Sequence, residues 1–182
     1  MNTENNSFIL KRNKKTGNYT ILKKGKQVKR VTMNINNVYL PFGREHYNDK
    51  LILNAIINDS TNYSRNNIIS LQRIIDTFVA LKDTQSGKYK YNISDKKFFS
   101  FLKEIEEQEC HAHTPNMKKY NLRLYIKYGA KITHLTHIGE LDYDQLKGKI
   151  CNLNIELGSL WVNSVTSQYG INLYVTHITI NN

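Results

Sequence analysis

Basic and aromatic side chains alternate with apolar ones between residues 118 and 131, where leucine or isoleucine occupies positions 122, 124 and 126. A strand with this period has one apolar face and one face that combines positive charge with phenol rings. Lysine and arginine neutralise phosphates, and tyrosine stacks on unpaired bases. The pattern therefore favours a nucleic-acid surface over the alternative of a solvated outer face. The residues expected to bind are Lys118, Lys119, Tyr120, Arg123, Tyr125, Lys127, Tyr128 and Lys131.

A second concentration of positive charge lies near the N-terminus, where nine of the chain's 26 bases and no acid occur between residues 11 and 30. An exposed sheet edge protected from aggregation would also be rich in lysine. Mixed charge would serve that purpose equally well, so charge of one sign favours contact with phosphates. The bases predicted to make it are Lys11, Arg12, Lys14, Lys15, Lys23, Lys24, Lys26, Lys29 and Arg30.

The segment from residue 37 to residue 57 mixes aromatic and basic side chains around the Pro41-Phe42-Gly43 break, with Tyr47 and Lys50 further along. Such a mixture suits stacking on unpaired bases. Three of its residues, with the single tryptophan of the chain, complete the predicted binding set, although Tyr39, Phe42 and Trp161 could equally belong to the core. These additional candidates are Tyr39, Phe42, Arg44 and Trp161.

Composition predicts one domain, residues 1–182, that binds an anionic partner. The chain has 40% hydrophobic and 23% charged residues and a formal net charge of +11, which favours nucleic acid or an anionic membrane surface. No apolar run approaches the roughly 20 residues that span a bilayer, and the N-terminus lacks signal-peptide character. We therefore expect a soluble cytoplasmic protein without a membrane partner, with Cys110 and Cys151 as free thiols.

Catalytic and metal-binding patterns are weak. The sequence contains no Walker-type phosphate loop, no GxGxxG, no HExxH and no GxSxG. Cysteine and histidine do cluster, but without the CxxC or HxxxH spacing of structural zinc sites. A nuclease would need clustered acids that the sequence does not supply, so we expect no enzyme, no cofactor and no metal. The cluster comprises Cys110, His111, His113, His134, His137 and Cys151.

Hydrophobic periodicity divides the chain into segments. Residues 1–7 are expected to be frayed, and residues 8–35 to form a basic β-hairpin region. Residues 36–180 then form the core, with helices near residues 67–82 and 94–108 and strands after Pro115. No internal repeat appears, which agrees with a single domain.

The end of the chain predicts a hairpin at the centre of the fold. A short strand carries Trp161, a polar turn covers residues 164–170, and a β-branched strand ends at Ile180. The apolar alternation of that last strand changes phase between Val175 and Ile178. Such a change predicts a β-bulge or a sharp bend, which is common where a sheet closes into a small barrel. Because no base follows Lys149, we expect this hairpin to be core.

Three stretches give the chain a family resemblance: NVYLPFGREHYNDKLILNAII, FFSFLKEIEEQ, and SLWVNSVTSQYGINLYVTHITI. With them the sequence resembles the OB-fold single-stranded-DNA-binding proteins of large cytoplasmic DNA viruses and related virus-like linear plasmids. In that family an aromatic strand precedes a Tyr-Gly-Ile or Phe-Gly-Ile turn into the last barrel strand, which here corresponds to Trp161 and Tyr169-Gly170-Ile171. Many members end in an acidic tail that recruits replication partners, whereas this chain ends THITINN.

The resemblance implies a mainly β protein with an OB-like Greek-key barrel, to which the residue pattern adds two helices and an N-terminal basic β-hairpin that the resemblance does not require. It implies binding of single-stranded DNA during replication with little sequence preference. RNA, replication proteins and self-association on DNA are further candidate partners. The alternative from another class is a basic virion or nucleoid protein that binds nucleic acid nonspecifically through its charge.

Overall fold

Strands make up most of the chain described by the computed structural model, which covers residues 8–12, 14, 19–23, 29–85, 93, 95–105, 118–134 and 142–181. Side chains at 9, 12 and 81–85 are not described. One α-helix and a short 3₁₀ turn, Tyr143–Leu146, accompany the strands in these ranges. The elements are β1 (Phe8–Arg12), β2 (Tyr19–Lys23), β3 (Lys29–Arg30), β4 (Thr32–Leu40), β5 (Arg44–Tyr47), β6 (Lys50–Asn58), α1 (Asn62–Gln85), β7 (Lys97–Phe98), β8 (Leu102–Ile105), β9 (Lys119–His134), β10 (Lys149–Asn163) and β11 (Gln168–Ile180).

Five of the strands close into a barrel. β4 pairs with β6, β6 with β9, β9 with β11, β11 with β10, and β10 returns to β4. The β9–β11 pair is parallel and the other four are antiparallel. Numbered along the chain, these strands run first, second, third, fifth, fourth around the barrel, so the connections cross as in a Greek key. The architecture is mainly β and consistent with an OB-like fold.

Alternation along the strands fills the barrel interior. Leu122 and Leu124 of β9 are fully buried, while Arg123 between them is exposed, as the period-two pattern predicts. The predicted bulge in β11 is also confirmed, because Asn154 pairs with His177 and Ile155 with Val175, which leaves Thr176 unopposed. The extra residue restores Ile178 and Ile180 to the buried face.

Helix α1 closes one side of the core. It begins five residues before the predicted start, after Thr61, whose side chain accepts a hydrogen bond from the backbone N–H of Ser64 at 3.1 Å. Its apolar stripe includes Leu71 and Phe78, which are almost completely buried. No helix among the described residues is long and apolar enough to cross a membrane.

The N-terminal strands extend the sheet beyond the barrel. β1 and β2 pair antiparallel, and β2 continues the sheet through Tyr19 opposite Leu160 of β10. Ile21 is fully buried, and the ring of Phe8 stacks on Phe78 of α1 at 5.5 Å. These strands therefore lie against both the barrel and the helix.

The predicted helix at residues 94–108 is wrong where it can be compared, since residues 97–105 contain β7 and β8. Their backbone finds partners in neighbouring strands: Phe99 N–H donates to the Tyr169 carbonyl at 2.7 Å, and Arg123 N–H donates to the Phe101 carbonyl at 3.3 Å. The segment pairs with the start of β11 and then of β9. These long-range pairings override a helix-like spacing, and aromatic residues favour strands in any case.

β10 also differs from its prediction, because it runs without interruption from Lys149 to Asn163. The sequence predicts a separate short strand that carries Trp161. The apparent break is a shift in register against β11 between Leu157 and Leu160. This irregularity moves Trp161 to the outer face.

Candidate nucleic-acid interface

A groove of about 440 Å³ crosses the outer face of the barrel. Its walls come from the end of β5, the start of β6, the middle of β9, the segment before β8, and the end of β10 and start of β11 with the turn between them. In OB-folds this face, formed by the second and third barrel strands and the neighbouring loops, binds oligonucleotides. We call it the aromatic groove and define it by Tyr47, Lys50, Phe99, Arg123, Tyr125 and Trp161.

Lysine and arginine side chains lie over the aromatic rings of this groove. The Lys50 ammonium is 5.3 Å from the ring centre of Tyr125, and the Arg123 guanidinium is 5.0 Å from that of Tyr47. These distances allow cation–π attraction, which holds the charge beside the ring without removing it from solvent. Positive charge and stacking surface thus occur side by side along the groove.

A third pair of this kind involves Phe99, another lining residue of the groove. The Lys103 ammonium lies 4.4 Å from the ring centre of Phe99, which contacts the indole of Trp161 at 5.9 Å. Tyr125 in turn contacts Tyr174 of β11 at 5.8 Å. The rings therefore form two clusters, Phe99 with Trp161 and Tyr125 with Tyr174.

Two glycines leave space for aromatic rings of these clusters. At Gly158 a Cβ would overlap the ring of Tyr174, and at Gly170 it would come within 2.6 Å of the Trp161 indole. Neither ring could lie so close to the backbone if the glycine carried a side chain. The two glycines thus fix how far Tyr174 and Trp161 stand out from the sheet.

The groove keeps its positive potential around neutral pH. None of the described residues that line it is acidic. Burial raises the pKa of the Tyr125 phenol, as do the neighbouring Tyr47 and Tyr174, against the opposing effect of Arg123. Tyr125 is therefore a neutral ring at neutral pH and adds no charge that would repel phosphate.

Of the predicted binding residues, Arg123, Tyr125 and Trp161 lie together in the aromatic groove. Lys127 lies beyond Tyr125 on the same strand and pairs with Glu156 at 2.7 Å. Tyr120 instead packs against the core cluster.

The two ends of β9 lie away from the groove. Lys118 pairs with Glu104 at 2.9 Å, and hydrogen bonding to that carboxylate, with its charge, raises the pKa of Lys118. Lys119 continues the same end, pairing with Asn58 of β6. At the other end Tyr128 and Lys131 are exposed, on and after a stretch where β9 leaves its pairing with β11.

The residues predicted around the Pro41 break also lie elsewhere. Arg44 pairs with Asp144 at 3.1 Å and its guanidinium lies 5.7 Å from the ring centre of Tyr143. Phe42 is exposed, and Tyr39 is half-exposed beside its strand partner Ile150. Of the segment from residue 37 to residue 57, Tyr47 at the end of β5 and Lys50 at the start of β6 line the groove.

None of the N-terminal basic residues that the structure describes lines the aromatic groove. Lys11 and Lys14 are exposed on the outer hairpin. Lys23, Lys29 and Arg30 line a different groove, beside α1. The side chain of Arg12 and the whole of Lys15, Lys24 and Lys26 lie outside the described residues.

Sequence reasoning missed Phe99 as a groove residue, and it missed Lys103 and Tyr174, which contact the rings of Phe99 and Tyr125. Phe99 and Lys103 were hidden by the helix assignment, although two adjacent phenylalanines in a polar context were a usable signal. Tyr174 was hidden because the final hairpin was assigned to the core. The alternation of Leu173 and Val175 already placed it on the opposite face.

The described residues contain no group of three or more histidine, cysteine or acidic side chains that could hold a metal ion. Cys110, His111, His113 and His137 lie outside the described part of the chain. Cys151 is fully buried, and burial raises the pKa of its thiol to about 12. A thiol that stays protonated is poorly suited to metal ligation.

Solved structures with a similar fold include the single-stranded DNA-binding protein from bacteriophage Enc34. Its complex with single-stranded DNA is 15% identical, covers 95% of each chain and superposes with a TM-score of 0.50. A second structure of that protein is 13% identical, covers 96% of this chain and 89% of the other, and has a TM-score of 0.49. No protein-family model and no curated protein matches the sequence.

At this low identity the likeness to the complex defines the fold and not a family. The chain shares its overall fold with the single-stranded DNA-binding protein from bacteriophage Enc34. This likeness does not show that the chain belongs to the OB-fold family of large cytoplasmic DNA viruses and linear plasmids, which its sequence resembles.

Proposed function

We propose that this protein binds single-stranded DNA through the aromatic groove, with little sequence preference. The observation that carries the proposal is the pairing of Tyr125, Tyr47 and Phe99 with Lys50, Arg123 and Lys103 along the OB-type binding face. Stacking platforms beside positive charge are what unpaired bases and their phosphates require. The fold shared with a protein solved in complex with single-stranded DNA supports the same function.

In the proposed mechanism, bases stack on the ring clusters around Tyr125 and Trp161, while phosphates contact Lys50, Lys103 and Arg123. Every base has a π-face, so such binding tolerates any sequence. A duplex keeps its bases stacked on one another and cannot offer them to these rings. Discrimination against duplex DNA follows directly from this geometry.

The chemistry proposed here is binding without catalysis, and its role is protection or organisation of single strands during replication. Binding of RNA, recruitment of replication proteins, self-association on DNA and a cytoplasmic location stay predictions. The basic structural or nucleoid protein is the competing function, and it predicts binding through charge alone.

Anisotropy of a labelled oligothymidine, competed by single-stranded DNA, duplex DNA and RNA at two salt concentrations, tests the proposal. We expect single-stranded DNA to compete more strongly than duplex. Phosphate contacts of Lys50, Lys103 and Arg123 predict a slope of log K against log salt of about −2, at roughly 0.7 per single-strand phosphate. Equal competition by all three polymers would favour the structural protein instead.

Replacing Gly158 with alanine is expected to weaken oligothymidine binding about tenfold while removing no binding side chain. The new Cβ would overlap the ring of Tyr174 and would lie 3.0 Å from the Asn172 carbonyl oxygen. Tyr174 must therefore move, which breaks its contact with Tyr125, and one lost stacking contact is worth about 1–3 kcal/mol. Fluorescence anisotropy measures the affinity.

The neighbouring substitution Ser159→Ala is the control, because it changes the same strand beside the groove without adding volume. Thermal unfolding of both variants separates misfolding from local displacement. Tyr174→Ala removes the ring without any overlap and should weaken binding similarly. Wild-type affinity in both the Gly158→Ala and Tyr174→Ala variants would contradict a role for this ring cluster.

A further inference from the structure

A second groove, of about 490 Å³, lies between α1 and the strands β3 and β4. Four of its described lining residues are the bases Lys23, Lys29, Arg30 and Arg73, and none is acidic. We call it the basic groove. A concave surface with bases on two walls focuses positive potential and attracts anions.

The side chains of the basic groove suit the phosphates of a nucleic acid and not its nucleobases. Beside its lysines and arginines the groove offers amides and hydroxyls, such as Asn34 and Ser70. Its one aromatic residue, Phe8, is already stacked on Phe78 at 5.5 Å. A ligand here would therefore be held by charge and hydrogen bonds along a sugar–phosphate backbone.

One row of side chains connects the two grooves across the outside of the barrel. Tyr125 of β9 pairs with Tyr174 of β11, which pairs with Glu156 of β10, which pairs with Thr32 of β4. Tyr125 lines the aromatic groove and Thr32 lines the basic groove. Three strand spacings therefore separate the grooves, or about 14 Å.

The surface between the grooves is positive. Arg30 and Lys127 both form ion pairs with the single carboxylate of Glu156. The Glu156 side chain is 7% exposed, whereas Arg30 and Lys127 are 55% and 42% exposed. Two cations thus face solvent above one hidden anion, and a phosphate crossing β10 would meet attraction.

We propose that a single strand whose nucleobases stack in the aromatic groove continues into the basic groove. There the basic groove holds the phosphates of that strand. The inference rests on the proposed function, since it needs a strand that starts in the aromatic groove. It gives the N-terminal bases Lys23, Lys29 and Arg30 a role separate from stacking. Affinity should accordingly rise with oligonucleotide length beyond what the aromatic groove alone can hold.

The test compares oligothymidines of about 5 and about 20 nucleotides, within and beyond the site size of one OB-fold. In the double variant Lys29→Gln/Arg73→Gln, affinity for the short oligonucleotide should equal that of the wild type. Affinity for the long one should fall about tenfold in low salt, and its salt slope should become shallower by about 1.4, at roughly 0.7 per lost phosphate contact. Both side chains are exposed, so the fold should tolerate the change.

The matched control is Lys11→Gln/Lys14→Gln, which removes the same charge from exposed positions outside both grooves. An equal effect of this control would show a general charge effect and overturn the inference. So would an unchanged affinity for the long oligonucleotide, or equal losses for both lengths. If the wild type binds neither oligonucleotide, the proposed function itself fails, which is a different result.

Discussion

Alanine in place of Tyr125 is expected to weaken oligothymidine binding about 5- to 150-fold, the equivalent of about 1–3 kcal/mol. Tyr125 lines the groove, and its ring lies 5.8 Å from the Tyr174 ring and 5.3 Å from the Lys50 ammonium. Removing its ring takes away a stacking surface and leaves Tyr174 without its neighbour. Fluorescence anisotropy at fixed salt measures the loss.

Tyr125→Phe keeps the ring and should bind close to wild type, because the phenol is not the stacking element. Tyr63→Ala is the matched control, since it makes the same change on an exposed tyrosine of α1 away from the groove. The account fails here if Tyr63→Ala costs as much affinity as Tyr125→Ala. It also fails if Tyr125→Ala loses folding stability and affinity in proportion.

Tyr169→Ala should produce the largest loss of stability, about 3–5 kcal/mol, by analogy with other buried aromatic-to-alanine changes. Tyr169 is fully buried, its ring contacts Phe98 edge-on at 5.2 Å, and its hydroxyl donates to the Phe78 carbonyl at 3.3 Å. It therefore joins β11, β7 and helix α1. Urea unfolding followed by circular dichroism measures the change.

Tyr169→Phe separates the ring from its hydroxyl. It removes one hydrogen bond and leaves the packing intact, so it should cost about 1 kcal/mol. Similar losses in the phenylalanine and alanine variants would mean that the ring is not the element joining helix and barrel.

Local hydrophobic periodicity was sufficient to predict which face of a strand is buried. The alternation around Arg123 identified the buried and exposed faces of β9, because one face lies against the core along that stretch. The phase change after Val175 likewise identified the bulge at Thr176. Each depends on which face of a single strand is buried, which a sequence records directly.

Long-range pairing explains what the sequence could not supply. Residues 97–105 are extended because β11 and β9 offer them hydrogen-bond partners, and the local sequence does not encode those partners. The position of Phe99 in the groove, and that of Lys103 over its ring, depend on that pairing. The distance between Tyr125 and the described N-terminal lysines and arginines likewise depends on strand pairing, since it is set by the number of strands that lie between them.

Trp161 offers the most direct test of the aromatic groove, because it is the single tryptophan of the chain and one of the groove's lining residues. Its emission and the anisotropy of labelled oligothymidine are followed in the same titration. The account predicts quenching of Trp161 that saturates at the same DNA concentration as the anisotropy. Saturating anisotropy with unchanged Trp161 emission would contradict it, because the strand would then be bound away from the groove.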